Sequence, residues 1–185
     1  MKIIQKIQEK HYVNYVSLIS SQLGEGYFTE ADFVKLDADP MSLGFEATDN
    51  NGDVLGIITA MTLPHNEAVA LLKISPENLP EYAKNAKEIG IFKTIAVSQK
   101  AKGKGIGSAL TKQLLESFKQ QNISVIACVA WKYGETENIK GVMKAFDFKC
   151  FQEIPDYWVE DINLICPACK VPPCHCQANI YFKQI

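Results

Sequence analysis

The sequence predicts an α/β fold, and three observations carry that prediction. Residues 91–97 and 124–131 are short apolar runs of the kind that form buried strands, while residues 107–120 and 138–145 repeat apolar side chains at helical spacing. The four segments alternate along the chain, and a period-two hairpin precedes them. Taken in order, residues 2–5 form a short first strand. The stretch 8–23 sets Tyr12, Tyr15, Val16, Ile19 and Leu23 at helical spacing, and Gly24 and Gly26 stop it. Thr29, followed three residues later by Asp32, is an N-cap with a carboxylate in the first turn of a short helix. That helix contains Phe33, Val34 and Leu36 and ends before Pro40. From Ser42 the period becomes two through Leu43, Phe45 and Ala47; Asn51-Gly52 makes a tight turn, and Leu55, Ile57, Thr59 and Met61 return. In residues 64–90, Ser75-Pro76 and Leu79-Pro80 read as helix starts, but 68–74 fits helix and strand equally and stays open. Residues 157–165 and 178–185 read as two final strands with a cysteine-rich loop between them.

The 185 residues, 47% apolar and 22% charged with a net charge of −2, are expected to form one domain over 1–185 with a core that needs neither disulfides nor metal. The longest apolar run, 125–131, is far short of the ~20 residues of a bilayer span, and residues 1–6 lack a signal-peptide core. The expectation is a cytoplasmic protein, monomeric or homodimeric, without a membrane partner. Nineteen basic and twenty-one acidic residues provide no field for nucleic acid. Cysteine is the abnormal count: four of six (Cys166, Cys169, Cys174, Cys176) fall within eleven residues, while Cys128 and Cys150 stand apart in apolar surroundings.

Directly after the strand at 91–97 comes Lys102-Gly103-Lys104-Gly105-Ile106-Gly107-Ser108, with glycines at alternate positions leading into a helix whose Ile106, Leu110, Leu114 and Phe118 recur every four residues. Glycine permits positive φ and removes the Cβ that would block approach, so successive N–H groups can converge on a phosphate at the helix N-terminus. A ligand-free glycine turn is the competing reading of such a pattern. A Walker loop fails because Gly103-Lys104 is followed by Gly105 instead of a hydroxyl. A dinucleotide fingerprint is weak because Ser108 or Leu110 stands where its third glycine belongs and no acidic residue ends the next strand.

Thr94-Ile95-Ala96-Val97 followed by Lys102-Gly103-Lys104-Gly105-Ile106-Gly107-Ser108-Ala109-Leu110 resembles the acetyl-CoA-binding core of the GCN5-related N-acetyltransferase (GNAT) superfamily, with Lys102 in place of the usual arginine or glutamine. The resemblance implies a mixed sheet of about six to seven strands flanked by about four helices, splayed between the fourth and fifth strands. It implies that Ile95, Ala96 and Val97 run along the pantetheine arm, and that the amides from Lys102 to Ser108 hold the pyrophosphate. Asn138 either reaches the CoA arm or caps its helix. The reaction implied is attack of an acceptor amine on the acetyl-CoA thioester, with a backbone N–H near Val97 for the oxyanion. The carboxylate that many relatives carry on the fourth strand is replaced by Lys93 and Thr94, and Met143 stands where their tyrosine acid would be. Tyr133 and Glu135, in the loop after the fifth strand, are the candidate catalytic residues, against the alternative of a solvated polar loop. Tyr157 and Trp158 either shape the acceptor pocket or belong to the core. The acceptor expected is a small-molecule primary amine, such as an amino acid or a derivative.

Cys166-Pro167-Ala168-Cys169 and Cys174-His175-Cys176 supply four thiolates, the number that a closed structural zinc site requires, although His175 can compete for one position. A thiol-rich loop without metal and a pair of disulfides are the alternatives, the latter disfavoured in a reducing compartment. A zinc-stiffened knuckle bordering the acceptor entrance is expected. A different class of function, a noncatalytic CoA-binding or zinc-knuckle interaction module on the same scaffold, is the alternative to the enzyme.

Overall fold

The computed structural model describes residues 3–185, so the expected start of the first strand at Lys2 lies outside the described residues. The chain runs β1 (Ile3–Lys6), α1 (Tyr12–Leu23), α2 (Glu30–Ala38), β2 (Ser42–Thr48), β3 (Val54–Pro64), α3 (His65–Leu72), α4 (Glu81–Lys84) and β4 (Glu88–Val97). It continues through α5 (Ile106–Gln120), β5 (Val125–Lys132), α6 (Lys140–Ala145), β6 (Lys149–Ile154) and β7 (Gln177–Gln184). The strands form one mixed seven-stranded sheet in the order β1-β2-β3-β4-β5-β7-β6. All neighbours are antiparallel except β4 and β5, and the α/β class and the splayed mixed sheet are as expected.

Local chemistry accounts for the elements. Thr29 and Asp32 form a reciprocal capping box at α2: the Asp32 N–H donates to Thr29 Oγ1 at 3.3 Å, and the Thr29 N–H and hydroxyl donate to the Asp32 carboxylate at 2.9 and 2.7 Å. Adjacent strand residues face opposite sides of the sheet, so Ile58 packs with Ile106, Leu110, Leu114 and Phe118 of α5, whereas Ile57 packs with Tyr15, Ile19 and Phe33 of α1 and α2. In residues 64–90 the helical alternative wins: Ala68, Val69 and Leu72 bury one face of α3 against Ile89 and Ile91, which also lengthens β4 to Glu88. A buried carboxylate anchors the other edge, with Glu46 accepting from Tyr15 Oη at 2.6 Å and Gln5 Nε2 at 2.7 Å and paired with His11 Nδ1 at 2.7 Å.

One expected strand is corrected. Residues 157–165 form successive turns, closed by hydrogen bonds from Val159 to Asp156, Asp161 to Trp158 and Leu164 to Asp161. Its aromatic and β-branched residues are strand-like in type, but they serve as anchors: the Tyr157 hydroxyl donates to the Leu71 carbonyl, and Trp158 and Leu164 pack with the cysteine cluster. The sixth strand is instead Lys149–Ile154, a largely exposed edge whose polar residues hide it from hydropathy patterning. Among the described residues no helix is long and apolar enough to cross a membrane.

Candidate active site

The site begins where two strands part. β4 pairs with β5 only from Gly90 to Phe92, matched to Ile126–Cys128, although β4 continues to Val97 and β5 to Lys132. Beyond that point β4 keeps only its β3 neighbour. The Ser98 N–H donates to the Leu55 carbonyl on the β3 side at 2.9 Å, so strand alternation turns the peptide groups of Ile95 and Val97 toward the gap. One of them is already engaged, since Gln22 Nε2 donates to the Val97 carbonyl at 2.8 Å. The gap widens into a cavity of about 600 Å³.

The glycine loop closes one end of this cavity. Gly103 and Gly105 take φ of 73° and 72°, a left-handed conformation that side-chain-bearing residues rarely adopt, and Gly105 is the N-cap of α5. The first α5 bond runs from the Ala109 N–H to the Gly105 carbonyl at 3.0 Å, so the amides of Ile106, Gly107 and Ser108 have no intrahelical partner. A Cβ on Gly107 would have ordinary contacts of 3.6 and 3.7 Å with Val142 and Ile95, so this position has room for one. Lys102, Gly103, Gly105, Ile106, Gly107 and Ser108 all line the cavity, as do Ile95, Val97 and Asn138. Lys104 and Ala96 are not among its lining residues. Asn138 does not cap α6; that position is Ile139, without a side-chain cap. The arrangement can hold an anion at one end and an extended amide-bearing chain along the strand edge.

The opposite end is built from side chains. Thr59 pairs with Thr94 and Ala60 with Phe92, which leaves Lys93 as the extra residue of a β-bulge immediately past the parting point. Lys93 lines the cavity with its ammonium 5.2 Å from the centre of the Phe28 ring, and burial lowers its pKa from the usual lysine value. Tyr27, Trp131, Trp158 and Leu164 supply much of the remaining wall, and burial raises the Tyr27 pKa. Cys128 also lines the cavity, but burial pushes its thiol far up and keeps it protonated. Tyr133 and Glu135, the residues selected from the sequence for proton transfer, sit on an exposed turn closed by reciprocal backbone bonds between Tyr133 and Thr136. They are not among the cavity's lining residues. Of the two aromatic residues tied to the acceptor pocket, Trp158 lines the cavity, whereas Tyr157 packs on α3 and Trp158. Tyr27 and Lys93 carry no sequence pattern of their own that marks them as lining residues.

The four clustered cysteines converge beyond this wall. Their sulfurs all lie within 4.8 Å of one another, with separations of 3.6 Å for Cys166–Cys176 and Cys169–Cys176 and 4.0 Å for Cys169–Cys174. A tetrahedron with zinc–sulfur bonds of about 2.3 Å has edges of about 3.8 Å, whereas a disulfide is about 2.05 Å. The Cys169 N–H donates to the Cys166 sulfur at 3.3 Å. Burial opposes ionisation of Cys166, but this N–H and others outweigh it and hold the thiol below its ordinary value; burial pushes Cys174 up to about 11. His175 points elsewhere, paired with Asp156 at 2.8 Å. A backbone clip joins the cluster to the α1–α2 connection: the Ile165 N–H donates to the Glu25 carbonyl at 3.0 Å, and a Cβ on Gly24 would overlap the Ile165 carbonyl oxygen. Both glycines that stop α1 are therefore needed for contact as well as for the turn.

Comparison with known proteins places this geometry. Solved structures with the same fold include NAA60 from Arabidopsis thaliana in complex with acetyl-CoA, with a TM-score of 0.74 at 10% identity over 100% of this chain and 99% of that one. Ard1 from Thermoplasma volcanium gives 0.69 at 14% over 100% and 97%, and arylalkylamine N-acetyltransferase 2 from Aedes aegypti gives 0.68 at 18% over 100% and 99%. No curated protein matches the chain in sequence. The model of the acetyltransferase (GNAT) family matches residues 10–135, covering the parted strands and the glycine loop, and the chain belongs to that family.

Proposed function

We propose that the protein transfers the acetyl group of acetyl-CoA to the primary amine of a small molecule. The observation that carries this reading is the continuity of one cavity from the free amides at the start of α5, along the open edge of β4, to the bulge at Lys93. In this reading the amides of Ile106, Gly107 and Ser108 and the Lys102 side chain hold the pyrophosphate, and Ile95, Val97 and Asn138 line the pantetheine arm; the Lys102 and Lys104 amides are bonded to Gln99 and Ala101, and Lys104 and Ala96 do not line the cavity. The acceptor nitrogen attacks the thioester carbonyl; a C–N bond forms, the C–S bond breaks, the CoA thiolate leaves, and the amine gives up one proton. An N–H on the open edge of β4, near Val97, donates to the oxyanion. Tyr133 and Glu135, on the exposed turn after β5, relay protons through water rather than by contact with the reacting atoms.

Cys166, Cys169, Cys174 and Cys176 fit a structural zinc ion by number, spacing and ligand type. Four thiolate ligands leave no open position, so its contribution here is to hold the chain segment that walls the acceptor end. Calorimetric titration with acetyl-CoA tests the reading: micromolar binding is expected, and absence of binding defeats it. Metal analysis of the purified protein is expected to find one zinc per chain.

A further inference from the structure

The cavity has a one-sided charge. Lys93 and Lys102 line it, and among the described residues no aspartate, glutamate or histidine does. Lys102 stands on the glycine loop, at the end suited to phosphates. Lys93 stands at the other end, on a bulge that turns an extra side chain out of the ladder. Phe28 holds its ammonium by a cation–π contact, and among the described residues it forms no ion pair. Asp32, the carboxylate whose field reaches it, is committed to the N–H and hydroxyl of Thr29. The lining also includes Phe92, Trp131, Trp158 and Leu164, none of which carries a negative charge. The Lys93 side chain is exposed at this end of the cavity, so its unpaired ammonium can take an anion delivered by the guest.

We propose that Lys93 selects the acceptor, which is an amine that also carries a carboxylate, bound with its carboxylate on the Lys93 ammonium and its amino group toward the parting point of β4 and β5. The inference rests on the acetyl-transfer reading and adds the acceptor's class to it. Di- and polyamines, whose second charge would face Lys93 without a carboxylate to balance it, are excluded. A free amino acid and the N-terminus of an acidic peptide share the required chemistry.

The test uses the full-length protein and measures CoA release by chromatography with size-matched pairs that differ in the carboxylate: 4-aminobutyrate against butylamine, alanine against alaninamide, and a peptide with an acidic start against its amide counterpart. The carboxylate member of at least one pair is expected to have a kcat/KM about tenfold to a hundredfold higher, the range for hydrogen bonds to charged groups. The first two pairs report a free amino acid and the third a peptide terminus. Lys93→Met should abolish the preference through acceptor KM, and Lys93→Glu should reverse it toward butylamine and diamines. Both variants should bind acetyl-CoA like the parent, since Lys93 lies at the far end of the cavity. Equal turnover within every pair, or a preference that survives Lys93→Met, overturns the inference while leaving acetyl transfer intact. Failure of the parent protein to bind acetyl-CoA strikes the acetyl-transfer reading itself.

Discussion

The two ends of the cavity are made of different material. The glycine-loop end is backbone: peptide groups on an open strand edge, helix amides, and glycines at the φ values that aim them. The opposite end is side chain: Tyr27, Lys93, Trp131, Trp158 and Leu164, gathered from segments more than a hundred residues apart and secured by the cysteine cluster. Backbone recognition serves a ligand that stays the same, because it does not depend on which side chains drift. A wall hung on an inserted loop can change its guest without disturbing the sheet.

Damage to one end should therefore leave the other intact. The largest effect is expected at the cysteine cluster. Cys174→Ser removes a fully buried thiol of the four-cysteine cluster and, on the zinc reading, should cost roughly 4 kcal/mol, the scale for loss of a structural metal. It should raise acceptor KM strongly while acetyl-CoA affinity changes by less than about threefold in calorimetry. A parallel fall in acetyl-CoA affinity would show that the two ends are one. Gly107→Val is the reciprocal probe. Its Cβ has room and its backbone φ is ordinary, so the melting temperature should hold, while acetyl-CoA affinity falls by about a hundredfold, some 2.7 kcal/mol.

Two smaller changes separate stability from binding. Tyr15→Phe deletes a 2.6 Å hydrogen bond to the buried Glu46 and should cost about 1.5–3 kcal/mol by denaturant titration without altering either affinity. Thr29→Ala dissolves the capping box and should cost about 1 kcal/mol at neutral pH. Burial works against the Asp32 carboxylate, but the bonds from Thr29 outweigh it and lower its pKa from 3.8. A lowered carboxylate contributes stability that is present above the unfolded value and lost as pH falls through the folded one. The gap between parent and Thr29→Ala should therefore narrow below about pH 4, and a constant gap would assign the cap to Thr29 alone.

Backbone-built features were the legible ones. Glycines announce their conformations in the sequence, so the loop at 102–108, the stop at Gly24 and the Asn51-Gly52 turn were readable, and the cysteine spacing announced its cluster. The side-chain wall was not, because its members share no period. Lys93 became prominent only through a register slip between β3 and β4, which no local pattern encodes. The exchange of 157–165 for Lys149–Ile154 as the sixth strand has the same origin: tertiary anchoring gave the aromatic residues another use, and an exposed edge strand needs no apolar stripe.

The sheet order has a consequence for synthesis. Because β7 lies between β5 and β6, the glycine loop and its strands emerge from the ribosome long before the strand that covers the β5 edge. The Glu25–Ile165 bridge likewise closes a loop of about 140 residues. The nascent chain can fashion its nucleotide-sized cradle early, but it must carry an unpaired apolar edge until residues 177–184 arrive. Throughout that interval the open β5 edge is available for mispairing.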